Sequence, residues 1–249
     1  MLSFFRKNKN SITTLFPDNY VDIHSHLLPN IDDGSKSFEE SVALIKRLSN
    51  YGIKNFVITP HIMDGVWNNT PRNINQKLFE FTNYLKTQEI YDINIRAAAE
   101  YMIDANFEIL LSKKKLLTIN DKYLLIELSY FNPPINLKEI LFKIQIAGYQ
   151  PILAHPERYT FYHSNYKEFF KLKERGCLFQ LNLLSLSQHY GSKTTKIAEQ
   201  LLKDNLIDFT GTDTHNNHHL NVLETINNRK LLKLVAPVLE HNSKLLQHN

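Results

Sequence analysis

From Ser37 to Thr210 the chain repeats one unit: a polar-faced helix, a turn residue, then a short β-branched or aromatic run. The first copy shows the grammar. Ser37 and Glu40 stand three apart, the spacing at which each side chain satisfies the other's free backbone N–H. Val42, Ile45 and Leu48 recur at helical spacing, Gly52 ends the helix where a positive φ is cheap, and Ile53-Lys-Asn-Phe-Val-Ile-Thr59 follows as a strand. The same order recurs at 137–154, 166–181 and 193–210, with Gly148 and Gly176 closing two of the helices. Further strands are expected at 20–23, 93–98 and 123–128. Seven strands separated by helices predict an α/β fold of parallel β/α units.

No Pro-, Gly- or Ser-rich linker interrupts this run, so 19–249 reads as a single domain after a flexible N-terminal arm, 1–18. Residues 67–89 read as an inserted helix or lid. Two more helices are expected from Leu220 onward, covering the end of the barrel, and 242–249 are expected to fray. With 249 residues, 43% of them hydrophobic, the chain can build a substantial core. The net charge is only +4, and much of the surplus sits in Arg6, Lys7 and Lys9, so no basic stripe for nucleic acid runs along the body. Cys177 stands alone and cannot form an internal disulfide, which points to a reducing compartment, the cytoplasm. No window approaches the roughly 18 apolar residues of a membrane span, and the start lacks a leader pattern, so no stable membrane insertion is expected.

Chemistry gathers at the strand ends. The first strand ends in Asp22-Ile-His24-Ser-His26, the second in Thr59-Pro-His61 and the third in Ala99-Glu100. The fourth contains Ile126-Glu127, the fifth ends in Ala154-His155-Pro156, and the seventh in Gly211-Thr-Asp213-Thr-His215. In a parallel β/α barrel those ends face one mouth, where active sites are built. His-x-His alone is a weak signal, because alternate strand residues point the same way by geometry. Glu127, inside the run Leu124-Leu-Ile-Glu-Leu128, is stronger: a buried carboxylate is costly unless a cation or metal answers it. Jointly these positions predict a metal centre. Imidazole with carboxylate suits Zn, Mn or Fe, and bridging carboxylates allow more than one ion. His163, His189, His218, His219, His241 and His248 fall in loops or on helix surfaces and are set apart as non-ligands, His218 and His219 being nearest the mouth.

The segment Val21-Asp-Ile-His-Ser-His-Leu-Leu-Pro-Asn-Ile-Asp-Asp-Gly34 resembles the opening motif of the PHP (polymerase and histidinol phosphatase) superfamily. More narrowly, it resembles the bacterial capsular and exopolysaccharide tyrosine phosphatases. Ala99-Glu100, Leu125-Ile-Glu127, Ala154-His-Pro-Glu-Arg-Tyr159 and Thr212-Asp-Thr-His-Asn216 match that subfamily's later motifs in order, so the resemblance covers about 20–245. It implies a distorted (β/α)7 TIM-like barrel with three divalent ions, Mn first and Fe, Zn or Mg as alternatives. One ion would take His24, His26, Glu100 and Asp213; a second Glu100, Glu127 and His155; a third Asp33, His61 and His215. The pattern favours Asp33 over the adjoining Asp32. Arg158 becomes the catalytic and substrate-binding residue, a guanidinium able to grip a phosphoryl oxygen bidentately. Relatives often carry a further Arg after Asp-x-His. Here Asn217-His-His-Leu-Asn-Val-Leu-Glu224 has none, which leaves His218 or His219 as substitutes.

The activity so implied is hydrolysis of phosphotyrosine on a protein by a metal-activated hydroxide. The implied partner is the tyrosine-rich tail of a bacterial tyrosine kinase that controls capsule or exopolysaccharide synthesis. Three rivals stand beside it. A small-molecule phosphomonoesterase of the histidinol-phosphatase kind shares the superfamily. An amidohydrolase also begins with His-x-His but wants a bridging lysine where the fourth strand offers Glu127. The third is a non-catalytic phosphotyrosine-binding regulator. Cysteine-based phosphatase chemistry is set aside, because it needs Cys-x5-Arg and Leu183 stands six residues after Cys177. Neither Gly-x-Ser-x-Gly nor a phosphate-binding Gly-x4-Gly-Lys-Ser/Thr loop occurs.

Overall fold

The apolar runs pair side by side, all in parallel, in the computed structural model, which describes residues 11–114 and 116–245. The first half comprises β1 (Val21–Asp22), α1 (Phe38–Asn50), β2 (Asn55–Ile58), β3 (His61–Ile62), α2 (Pro71–Thr87), β4 (Asn94–Ala97), β5 (Glu100–Met102) and α3 (Ala105–Ser112). Then come β6 (Tyr123–Glu127), α4 (Leu137–Ile146), β7 (Gln150–Ala154), α5 (Thr160–His163), α6 (Lys167–Glu174), β8 (Leu178–Asn182), α7 (Ser192–Lys203), β9 (Phe209–Gly211), α8 (Asn217–Glu224) and α9 (Arg229–Asn242).

Pairing runs β1–β2–β4 and β3–β5–β6–β7–β8–β9. β2 and β3 are halves of one extended run, broken where Pro60 brings no N–H to the ladder. β4 and β5 are halves of another. Bonds from Ala98 N–H to Ile58 O (2.8 Å) and from Glu100 N–H to Pro60 O (3.1 Å) carry the pairing across the break. Seven staves in sequential order result, as the repeat predicts. The first and last meet through a Ser25–Thr214 bridge, with Asp213 N–H donating to His24 O at 2.7 Å. At the other end of these staves the buried Asn242 amide ties them together, donating to Val21 O (2.9 Å) and Thr210 O (2.7 Å) and accepting from Thr210 N–H (2.9 Å). The result is a distorted (β/α)7 barrel.

Alternation along the staves splits the core in two. Val21, Ile23, Val57, Leu125, Ile152 and Ala154 form a small inner cluster. The opposite strand faces, with Phe56, Ile58, Leu124, Ile126 and Leu153, pack against the helices in a larger outer layer. α1 shows how a helix joins that layer. Val42, Leu44, Ile45 and Leu48 are buried, and truncating Leu44 to Ala would cost about 2–5 kcal/mol. Ser37 caps it through Glu40 N–H, but the Glu40 carboxylate reaches Lys36 N–H rather than Ser37, so only half of the expected reciprocal cap forms.

Several boundaries differ from expectation. Residues 11–18 are not all arm: Ile12 is buried and its N–H donates to Ile226 O at 2.9 Å, while residues 1–10 lie outside the described residues. The expected fray at 242–249 fails at its first residue, Asn242, and 246–249 lie outside the described residues. α2 is no lid: Ile74, Phe81 and Leu85 give it a buried stripe, and it serves as the crossover from β3 to β4. α3, capped by Asp104 on Phe107 N–H, was not foreseen. Among the described residues no helix is long and apolar enough to cross a membrane.

Candidate metal centre

All nine predicted ligands come together at the C-terminal ends of the staves. Four overlapping groups of donor atoms form, each with its atoms within 4.8 Å of one another: His26/Asp33/His61/His215, His24/His26/Asp213, His24/Glu100/His155 and His61/Glu100/Glu127. Glu100 is the hub. Its Oε2 lies 3.0 Å from His24 Nε2 and 3.2 Å from His61 Nδ1, and its Oε1 lies 3.0 Å from His155 Nε2. The grouping differs from the implied one in two respects. His61 faces both ways, with Nδ1 toward Glu100 and Glu127 and Nε2 toward Asp33 Oδ1 at 3.6 Å. His155 shares Glu100 with His24 rather than with Glu127.

The backbone is bent to deliver these groups. His155 (φ 35°) and Asp213 (φ 49°) occupy the left-handed region, where a residue with a Cβ is strained. Gly211 and Gly34 have no room for a side chain. A Cβ on Gly211 would meet His24 Cβ at 2.6 Å, and one on Gly34 would meet His26 O at 2.1 Å. Outer partners fix the rings. His24 Nδ1 donates to Gln180 Oε1 (2.8 Å), turning Nε2 inward, and His26 Nδ1 donates to Asp32 Oδ2 (2.7 Å). Asp32 also accepts from Gly34 and His61 N–H, so it is Asp33 that lines the pocket.

Electrostatics follow from crowding. Burial pushes Glu100 up, but the His24 and His61 imidazoles pull its carboxyl well below the usual range. Burial and the Glu100 charge push Glu127 up. Burial pulls His61 down, yet Glu100 and Glu127 lift it to about 9; burial and Arg158 take His155 to about 4. The site's fit to a cation rests on two atoms. His61 Nδ1 and Glu127 Oε1 are buried 2.9 Å apart, and neither completes a hydrogen bond. Two lone-pair atoms aimed at one space, among other imidazoles and carboxylates, are what a divalent ion requires.

Above this floor opens a pocket of about 490 Å³. Arg158 lines it, donating from Nη1 to Asp213 Oδ2 at 3.1 Å while Asp213 Oδ1 faces His24 and His26. Met63, Val66, Trp67 and Met102 supply apolar lining. Of the histidines set apart as non-ligands, His218 is exposed, but His219 lines the pocket with Nδ1 near Asp213 O at 3.1 Å; His248 lies outside the described residues. The sequence reading missed Asp32 as a partner of His26, and also Gln180, Asn182, Tyr130 and Tyr190. Asp32 stands in the Asp-Asp-Gly spelling, but its bond to His26 has no sequence signal; Gln180, Asn182, Tyr130 and Tyr190 stand in no motif, and only the folded chain brings them to the site.

A seven-staved parallel barrel whose mouth gathers imidazoles and carboxylates around one glutamate is a PHP-type barrel. The family described as "Capsular polysaccharide synthesis, CpsB/CapC" matches residues 20–226, and the chain belongs to that family. It is 34% identical over 209 residues to the tyrosine-protein phosphatase CpsB of Streptococcus pneumoniae, covering 79% of this chain and 83% of that one. It superposes with a TM-score of 0.74, at 29% identity and over 89% of this chain and 94% of the other, on a chain from the crystal structures of YwqE from Bacillus subtilis and CpsB from Streptococcus pneumoniae. Those two are described as unique metal-dependent tyrosine phosphatases. The histidinol phosphate phosphatase of Lactococcus lactis shares the fold, with a TM-score of 0.54 at 15% identity over 87% of this chain and 94% of that one.

Proposed function

We propose that this chain is a metal-dependent protein-tyrosine phosphatase. The observation that carries the proposal is the convergence of nine imidazole and carboxylate side chains around Glu100, directly below Arg158 and an apolar rim. Three ions are the reading: His24, His26, Glu100 and Asp213 would hold one, Asp33, His61 and His215 another, and Glu100, Glu127 and His155 the remaining one, with Glu100 as the residue that reaches both His155 on the His24 side and Glu127 on the His61 side. Mn is the first choice of metal. Divalent ions in such a site supply Lewis acidity, making hydroxide available near neutral pH and neutralising phosphoryl charge.

The protein does the positioning. Arg158 holds a non-bridging phosphoryl oxygen, and Asp213 fixes where its guanidinium sits. The apolar rim of Met63, Val66, Trp67 and Met102 suits an aryl group and keeps water from it. A phenol leaves with a pKa of about 10, so the reaction asks little of a general acid. The physiological substrate is then a phosphotyrosine-bearing protein, read as the tail of a bacterial tyrosine kinase controlling capsule or exopolysaccharide synthesis. A kinase tail and a lone, unoxidised cysteine both suit the cytoplasm.

The test is an assay of protein stripped with chelator and reloaded with Mn, against a phosphotyrosine peptide and histidinol phosphate side by side. Turnover that returns with metal and favours the peptide, and is lost in His155→Ala, is expected. Preference for histidinol phosphate would move the substrate to a small molecule. No turnover with Mn, Zn, Fe or Mg would remove the phosphatase reading.

A further inference from the structure

The Arg158 guanidinium lies over two aromatic rings, with its Cζ 4.1 Å from the Tyr190 centroid and 4.9 Å from that of Tyr130. Both distances fall inside the roughly 6 Å reach of a cation–π contact. The rings come from different parts of the chain, Tyr130 just after β6 and Tyr190 just before α7. Each is itself held. Tyr130 stacks on His155 at 5.9 Å and 19°, and its other neighbour is Tyr159 at 5.7 Å. The Tyr190 hydroxyl accepts a 3.1 Å bond from Asn182 Nδ2, and the same amide nitrogen donates to Asp213 Oδ2 at 2.6 Å. Asp213 Oδ2 in turn accepts from Arg158 Nη1.

We propose that Tyr130 and Tyr190 are positioning residues that clamp Arg158 and aim its remaining N–H donors at the substrate's phosphoryl group. This inference rests on the phosphatase reading above. A guanidinium is planar, so ring faces fix its plane and one carboxylate contact fixes its rotation within that plane. Of its five N–H donors, the Asp213 bond uses one and leaves a donor edge in the pocket that Arg158, Tyr130 and Tyr190 all line. A free arginine loses rotamer freedom when it grips an anion. One already clamped loses little, and that saving appears as tighter phosphate binding. Asn182 extends the clamp by linking Tyr190 to Asp213, a residue of the proposed metal centre, so metal floor and phosphate grip are registered to each other.

The experiment compares Tyr130→Leu, Tyr190→Leu, Tyr130→Phe and Tyr190→Phe in the wild-type and Arg158→Ala backgrounds, with thermal melting to confirm folding. The readouts are kcat and KM on a phosphotyrosine peptide, and direct calorimetric binding of inorganic phosphate to the Mn-loaded protein. Tyr190→Leu should raise KM and weaken phosphate binding about tenfold, and Tyr130→Leu, at a residue that is 42% exposed, about fivefold, with kcat moving less, as the loss of one cation–π contact implies. The Phe variants keep the ring face and should stay within about threefold of wild type. In the Arg158→Ala background the Leu substitutions should cost nothing further. Equal losses in the Leu and Phe variants, or full additivity with Arg158→Ala, would overturn the clamp. So would unchanged phosphate binding in both Leu variants. Phosphate binding reads the clamp without turnover, so a wild-type protein that binds phosphate but hydrolyses nothing sinks the phosphatase reading while leaving the clamp decided on its own data.

Discussion

Asp32 Oδ2 accepts a 2.7 Å hydrogen bond from His26 Nδ1, while its neighbour Asp33 lies 3.6 Å from His61 Nε2 and 3.4 Å from His215 Nε2. Two adjacent carboxylates therefore have different roles. Asp32 holds the His26 ring in place, and Asp33 offers an oxygen to the pocket. Asp33→Ala should lower the bound metal per chain, measured by elemental analysis, with the fold retained. Asp32→Ala should keep the metal count at saturation but weaken affinity or activity by about 10- to 100-fold, the usual cost of losing an outer partner. The reverse pattern would exchange the two assignments.

Cys177 is buried, and burial pushes its thiol up to about 12. Alkylation proceeds through the thiolate, so the folded protein at pH 8 should react with iodoacetamide far more slowly than the unfolded chain. Cys177→Ala should retain phosphatase activity. Loss of activity in that variant, with folding intact, would point to cysteine chemistry instead.

The metal-free centre is held by imidazole–carboxylate contacts, and the pH dependence follows from them. His61 is raised to about 9, so its contribution is fully present below its unfolded value of about 6.5 and is lost as pH rises through 9. Glu100 and Asp213 are lowered, so theirs is present above the unfolded carboxylate values and lost in acid. His155, lowered to about 4, works the other way and costs stability as pH falls below about 6.5, so chelator-treated protein should melt highest at about pH 6.5 and less well toward pH 9. Ligation needs neutral imidazoles, so the rise in melting temperature on adding Mn should grow with pH. A Mn effect that shrinks as pH rises from 6 to 8 would contradict a histidine-rich site.

What could be read from the sequence divides along physical lines. The staves and the convergence of the nine candidate positions were legible because strand ends carry their chemistry in short local spellings such as His24-Ser-His26 and Asp213-Thr-His215. Their grouping was not. That His61 faces two donor sets depends on a ring orientation fixed by contacts between β3 and the Asp32–Gly34 turn. Gln180, Asn182 and Asn242 were invisible because an amide in an apolar strand or at a helix end has no pattern of its own. Each acts through partners more than thirty residues away, His24 for Gln180, Asp213 for Asn182, and Val21 and Thr210 for Asn242. Ile12 was assigned to the arm because its burial depends on a contact with Ile226, far along the chain.

Substrate preference should reside in the short turn between His61 and α2. Met63 and Trp67 exchange backbone hydrogen bonds of 3.0 and 2.9 Å, and Asp104 Oδ2 accepts from Asp64 N–H at 2.9 Å, so the turn is braced. It carries Val66, which is 60% exposed, and Trp67 at the pocket edge. An aryl phosphate reaching the metal floor lays its ring against these side chains, whereas a short alkyl phosphate does not extend so far. Covering part of one ring is worth about 1–2 kcal/mol, or about 5- to 30-fold. Val66→Ser and Trp67→Ala should therefore raise KM for a phosphotyrosine peptide by about that factor and leave kcat/KM for a phosphoserine peptide nearly unchanged. Parallel losses on both peptides would mean that the turn shapes the metal floor rather than the aryl site. The bracing bonds are all backbone N–H donors, so both substitutions leave them in place, and the comparison reads side chains alone.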